Sequence, residues 1–107
     1  MPDQTDTKAV FYTVDRDLVI LAVSEDALRV WGKSRVEILG RGLLHVFPFL
    51  AETRIHHAHL DALRTFRPVR LETESHYLPG LVDVEIYPIA GGLQVRYWQH
   101  ANGPKTV

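Results

Sequence analysis

Residues 82–98 read VDVEIYPIAGGLQVRYW, and this stretch decides the fold. Val82, Val84 and Ile86 alternate with Asp83, Glu85 and Tyr87. After the turn-forming Ala90-Gly91-Gly92, Leu93, Val95 and Tyr97 alternate with Gln94, Arg96 and Trp98. A period of two is strand geometry, and the two glycines supply hairpin turn chemistry. One apolar and one polar face belong to an antiparallel sheet that covers a core on one side. Upstream, Val69, Leu71 and Thr73 alternate with Arg70, Glu72 and Glu74 in the same way, joined to the hairpin through residues 76–80. The polar face of these three strands, with Arg70, Glu72, Glu74, Asp83, Glu85 and Arg96, is predicted to be solvated, with opposite charges pairing across strands.

At the other end, residues 9–23 read AVFYTVDRDLVILAV. Two β-rich runs, 9–14 and 18–23, flank the polar turn Asp15-Arg16-Asp17 and predict a second hairpin. Strict alternation through the second run places Leu18, Ile20 and Ala22 outside, beside Phe11 and Trp98. That predicts an apolar patch on the sheet's outer face, a contact surface for a second copy or a flanking helix.

The middle is helical. Ser24 is a good N-cap, followed by Glu25 and Asp26, and Gly32 ends that helix. Ser34 and Glu37 have capping-box spacing, and Gly40 ends the next piece. Residues 42–47 predict one more helical turn, closed by Pro48. Thr53 opens the longest helix, which runs to about Phe66 with Pro68 beyond it. Ile55, His59, Ala62, Leu63 and Phe66 fall on one side, and Arg54, His57, Asp61 and Arg64 on the other. The economical solution is an α+β fold, a five-stranded antiparallel sheet with short helices and one longer helix on one face.

Composition narrows the function. The chain of 107 residues is enough for one domain. It has no cysteine, so disulfides, thiolate metal sites and cysteine nucleophiles are absent. With 12 basic and 13 acidic side chains and no basic cluster, nucleic acid is not an expected partner. The polar start MPDQTDTKAV lacks the apolar core of a secretion signal, and no apolar run approaches a membrane span, so a cytoplasmic location is expected. No nucleophile elbow, phosphate-binding loop or HExxH spacing occurs, so independent catalysis is not expected.

In order and spacing, these pieces resemble a PAS domain. FYTVDRDLVILAVS resembles the opening strand pair. SEDALRVWGKSRVEILGR resembles the helical stretch that closes on Leu-Gly-Arg, and HVFP at 45–48 the turn that follows. ALRTFRPVRLE and VDVEIYPIAGGLQVRYW resemble the end of the long helix and the final hairpin. The resemblance covers residues 9–99, leaving 1–8 as a lead-in and 100–107 as a tail. Two positions depart from the family. Ser24 stands where an asparagine is common, and Gln99-His100-Ala101 stands where an Asp-Ile-Thr stretch often couples to an effector.

The resemblance implies a non-catalytic sensor or interaction module of a signal-transduction protein, such as the sensor part of a histidine kinase. It implies a small-molecule pocket between sheet and helices, and a homodimer or a flanking effector domain as partner. The pocket residues expected are Ile55, His59, Leu63, Val84, Val95 and Tyr97. The alternative is a haem-binding gas or redox sensor with His59 as axial ligand. A flavin–cysteine adduct is excluded by the missing cysteine, and the cofactor is otherwise undetermined. Glu52, His56 and His59 have a spacing that a helix permits for a metal, but no fourth ligand is visible, and no metal is assigned.

Overall fold

The computed structural model describes residues 9–100. The expected lead-in 1–8 and the tail beyond His100 lie outside the described residues. Five strands form one sheet: β1 (Val10–Asp15), β2 (Ile20–Val23), β3 (Val69–Glu74), β4 (Leu81–Ile89) and β5 (Gly92–Gln99). Their order is β2-β1-β5-β4-β3 and every pairing is antiparallel. The two hairpins are therefore welded by the β1–β5 pair, which brings the first and last strands together at the centre.

That junction depends on one glycine. A Cβ at Gly92 would lie 1.9 Å from the Val14 carbonyl oxygen, so no side chain fits where β5 begins against β1. Its neighbour Gly91 has φ 84°, the left-handed conformation that the tight turn before β5 requires.

The helical layer is α1 (Glu25–Trp31), α2 (Arg35–Ile38), α3 (Leu43–Val46), a 3₁₀ helix (Pro48–Glu52) and α4 (Arg54–Thr65). The caps follow the sequence: Ser24 Oγ accepts from the Ala27 amide at 3.1 Å, and Glu37 Oε1 accepts from the Ser34 amide at 2.7 Å. The turn over 42–47 forms as α3 and ends before Pro48, as expected, but the chain stays helical beyond it. Pro48 opens the 3₁₀ helix, where a residue without an N–H is tolerated at the first turn. Phe66 leaves the expected apolar stripe. It adopts the left-handed C-cap at φ 56° and is exposed, while Ile55, Ala58, His59 and Ala62 form the buried face of α4.

The larger correction concerns β2. Leu18 and Ile20 lie in the core, not on the outer face. Tyr12 faces Val23 and Thr13 faces Ala22, but the next pair is Val14 with Ile20. Leu21 is therefore a bulge residue, and the alternation slips by one at that point. Asp15 builds the turn that precedes the slip: its Oδ1 accepts from the amides of Asp17 at 2.8 Å and Val19 at 2.9 Å. Leu18 takes a left-handed φ of 63° there. The free edge of this segment is then satisfied by residues 40–43. Ile20 donates to the Arg41 carbonyl at 2.9 Å, Gly40 donates to Ile20, and Leu43 donates to Leu18 at 2.8 Å. The helical layer is stitched to the strand, and Ile20 is sealed beneath it.

On the outer face, Phe11 and Trp98 remain half-buried and Ala22 is exposed, as alternation predicts. Glu85 is not solvated as expected but buried, since the neighbours it pairs with cover it. Arg70 and Arg96 are its register partners on β3 and β5, at 3.0 and 2.8 Å, and Tyr87 donates to it at 2.8 Å.

Candidate functional site

The inner face of the sheet and the helical layer enclose a cavity of about 30 Å³. Its floor is Tyr12 from β1 and Tyr97 from β5, and its walls are Trp31, Phe47 and Ile55. On the solvent side, half-buried Phe49 stacks on exposed His76 with ring centres 3.8 Å apart, and Tyr77 packs at 6.0 Å from Phe49. Trp31 and Phe47 meet at 4.7 Å, Tyr12 and Trp31 at 5.6 Å. Aromatic pairs at such separations and tilts attract beyond simple burial. The volume is close to the share of one water molecule, far below the roughly 150 Å³ that holds benzene, so a larger guest must displace a wall. The Phe49–His76 pair, which bridges the 3₁₀ helix and the loop before β4, is the least enclosed part of that wall.

The polar atoms around the floor are paired. Trp31 Nε1 donates to Tyr97 Oη at 3.1 Å. Burial pushes the Tyr97 phenol up from its ordinary pKa, although hydrogen bonds from Trp31 and Ser75 act the other way. Burial, with the neighbouring Tyr97, raises Tyr12 further still. Both phenols are therefore neutral at physiological pH. No Lys, Arg, Asp or Glu is among the residues lining this cavity, so its chemistry is that of a neutral, aromatic site.

His59 is the buried histidine that alternation and helical period single out, and it is fully buried. Its Nδ1 lies 2.7 Å from the Ile55 carbonyl oxygen and its Nε2 lies 2.9 Å from Tyr12 Oη. A carbonyl only accepts, so Nδ1 carries the proton and Nε2 accepts from the Tyr12 hydroxyl. Burial lowers the imidazole from 6.5 to about 4, opposed by the Ile55 hydrogen bond and helped by His56. Both nitrogens are thus engaged and the ring is neutral.

This arrangement does not fit an axial haem ligand. Nε2, the nitrogen that would meet iron, is capped by Tyr12, and the adjoining space of about 30 Å³ holds no porphyrin. The helical metal spacing fails for the same reason. His59 has no lone pair to spare and Glu52 is exposed at the end of the 3₁₀ helix. His56 Nδ1 is buried without a partner among the described residues, and burial lowers its pKa, with His57 adding to the effect.

Of the expected pocket residues, Ile55 and Tyr97 line the cavity. His59 stands behind Tyr12 and supports it. Val84 and Val95 are fully buried in the core, Leu63 is packed against it, and none of the three lines the cavity. Sequence reasoning missed Tyr12, Trp31, Phe47, Phe49 and Tyr77. The signal was present as aromatics in the short helices and the β3–β4 loop, but their convergence needed the layer's path over the sheet.

Solved structures share this fold. The sensory box sensor histidine kinase from Vibrio cholerae superposes with a TM-score of 0.70 at 22% identity, covering 84% of this chain and 78% of that one. The PAS domain of histidine kinase ThkA superposes at 0.71 and 16% identity, covering 84% and 97%. The photoactive yellow protein domain from the sensor histidine kinase Ppr of Rhodospirillum centenum superposes at 0.67 and 15% identity, covering 85% and 82%. The fold is that of a PAS domain. A scan of protein-family models finds no match, and a search of curated proteins finds none. The PAS fold predicted from motif order is therefore present over nearly the whole described chain, and none of its described helices is long and apolar enough to cross a membrane.

Proposed function

We propose that this PAS-fold domain is a non-catalytic sensor module of a cytoplasmic signal-transduction protein, and that its signal is a small, neutral, aromatic or apolar molecule. The aromatic cavity between sheet and helices carries this reading. It is closed by a stacked pair that a guest can displace, and its lining residues include no Lys, Arg, Asp or Glu to hold an ionic ligand. The likeness to the sensor domain from Vibrio cholerae and to the ThkA domain supports the signalling role. Native mass spectrometry and Trp31 fluorescence test it. A panel of neutral aromatics such as indole and phenol is expected to add mass in register with one site and to change Trp31 emission, with Tyr97→Phe weakening the response. Binding of only anionic ligands, or none of the panel, sinks the proposal.

The partner is a second copy, docked on the outer face around Phe11 and Trp98. Phe11 and Trp98 leave part of their apolar surface open on that face, which supports a contact surface. Sedimentation is expected to show a dimer that Trp98→Arg splits. A monomer at all concentrations rejects this arrangement and leaves the sensing proposal standing.

A further inference from the structure

A second site lies on the outer face, at the edge opposite β2. Glu72 on β3 and Asp83 on β4 are register partners with side chains on the solvent side. His100 follows β5, where the chain leaves the sheet. Its Nδ1 lies 2.9 Å from Asp83 Oδ2 and 3.2 Å from Glu72 Oε2. One ligand atom from each residue, three in all, lie within 4.8 Å of one another.

Two arguments make this more than a carboxylate pair. The first is geometric. Zinc bonds of about 2.0–2.2 Å in a tetrahedron set neighbouring ligand atoms roughly 3.3–3.6 Å apart. The observed spacings to the imidazole nitrogen need an expansion of only a few tenths of an ångström. The second is charge. A single proton on Nδ1 faces two carboxylates and satisfies one of them well. Even an imidazolium leaves one negative charge over, whereas a divalent cation with neutral imidazole and two carboxylates balances. Of the arginines near this edge, Arg54 donates to the Glu72 backbone carbonyl at 3.3 Å and Arg70 pairs with Glu85 at 3.0 Å.

We propose that Glu72, Asp83 and His100 bind a divalent cation of borderline softness, zinc being the fitting example, with water in the remaining position. A nitrogen donor and only two carboxylates disfavour calcium, which takes six to eight oxygens at longer range. The ligands come from β3, β4 and the exit of β5. Binding ties the departing chain to two strands and gives the domain a metal-dependent hold on whatever follows it. This site is independent of the aromatic cavity.

Calorimetric titration of the full chain with zinc chloride, and separately with calcium chloride, tests it. Zinc is expected to bind at one site and calcium not to compete. His100→Ala and Asp83→Asn are each expected to weaken zinc by more than about tenfold, the least that losing a direct ligand costs. His56→Ala with His57→Ala is expected to leave the titration unchanged. Circular dichroism without metal confirms that each exposed-edge variant is folded, and two different ligand variants guard against one that is not. Three outcomes overturn the proposal: no zinc binding, zinc binding that the His100 and Asp83 variants leave intact, or calcium binding as well as zinc.

Discussion

The two hairpins of this sheet obey the same rule and end differently. The β4–β5 hairpin keeps strict alternation across eight register pairs, from Val82–Gln99 to Ile89–Gly92. Its inner residues Val82, Val84, Ile86, Leu93 and Val95 are all buried, as the pattern alone requires. The β1–β2 hairpin carries equally apolar residues but slips at Leu21. The difference is that β4 and β5 are paired on both sides by strands. β2 is an edge strand whose other side is taken by residues 40–43. A regular ladder enforces the period of two, and an edge held by a loop relaxes it.

The sharpest way to break the comparison is at the seam between the hairpins. Gly92→Val places side-chain atoms where the Val14 carbonyl stands. It is expected to cost more than about 4 kcal/mol, the range of diagnostic mutations, and to leave little folded protein by circular dichroism. A folded Gly92→Val with native stability would mean that β1 and β5 do not pair as described.

The slip itself is tested next. Ile20→Ala removes a fully buried side chain and is expected to cost about 3 kcal/mol, while Leu21→Ala, at an exposed bulge, is expected to change stability by less than about 0.5 kcal/mol. Urea unfolding of both variants decides it. Equal costs, or a costlier Leu21, would restore the strict alternation that the sequence suggests.

The first hairpin also carries the pH dependence, because its Tyr12 holds His59. The imidazole titrates near 6.5 when unfolded and at about 4 in the fold. The unfolded chain then binds more protons between those values. Stability from this group is complete above pH 6.5 and is lost as pH falls toward 4, at about 1.4 kcal/mol per unit and about 3 to 4 kcal/mol in all. His56, lowered in the same direction, adds to it. Denaturant midpoints at pH 7.5 and 4.5 measure the loss, and His59→Leu is expected to remove most of the slope.

The smallest effect belongs to the second hairpin's outer face. Burial alone would raise the Glu85 carboxyl, but hydrogen bonds from Tyr87 and Arg96 and the charges of Arg96 and Arg70 hold it below the usual range. Arg70 and Arg96 are themselves half or more exposed, so solvent screens the network. Glu85→Gln is expected to cost about 1 kcal/mol, falling further in high salt. A loss of several kcal/mol in thermal unfolding would show that the outer face stabilises the sheet as strongly as the inner one.

Much of the candidate site was written in local signals. His59 was legible as a buried histidine because helical period alone puts it on the face with Ile55 and Ala62. Its state was not, since that depends on Tyr12, 47 residues away. Tyr97 was legible as an inward strand residue, while its bond to Trp31 joins positions 66 apart. The carboxylates of Glu72 and Asp83 were legible as outward. That His100 reaches both depends on β5 lying beside β4 and ending level with them.

The amino-acid order alone determined the strands, the caps, the inward residues of the regular hairpin and the family resemblance, because these rest on interactions between near neighbours in the chain. The tertiary structure decided the β1–β5 seam, the burial of Leu18 and Ile20, the size and aromatic lining of the cavity and the protonation of His59. Each of these turns on surfaces brought together from distant parts of the chain, where shape and desolvation, not periodicity, set the outcome.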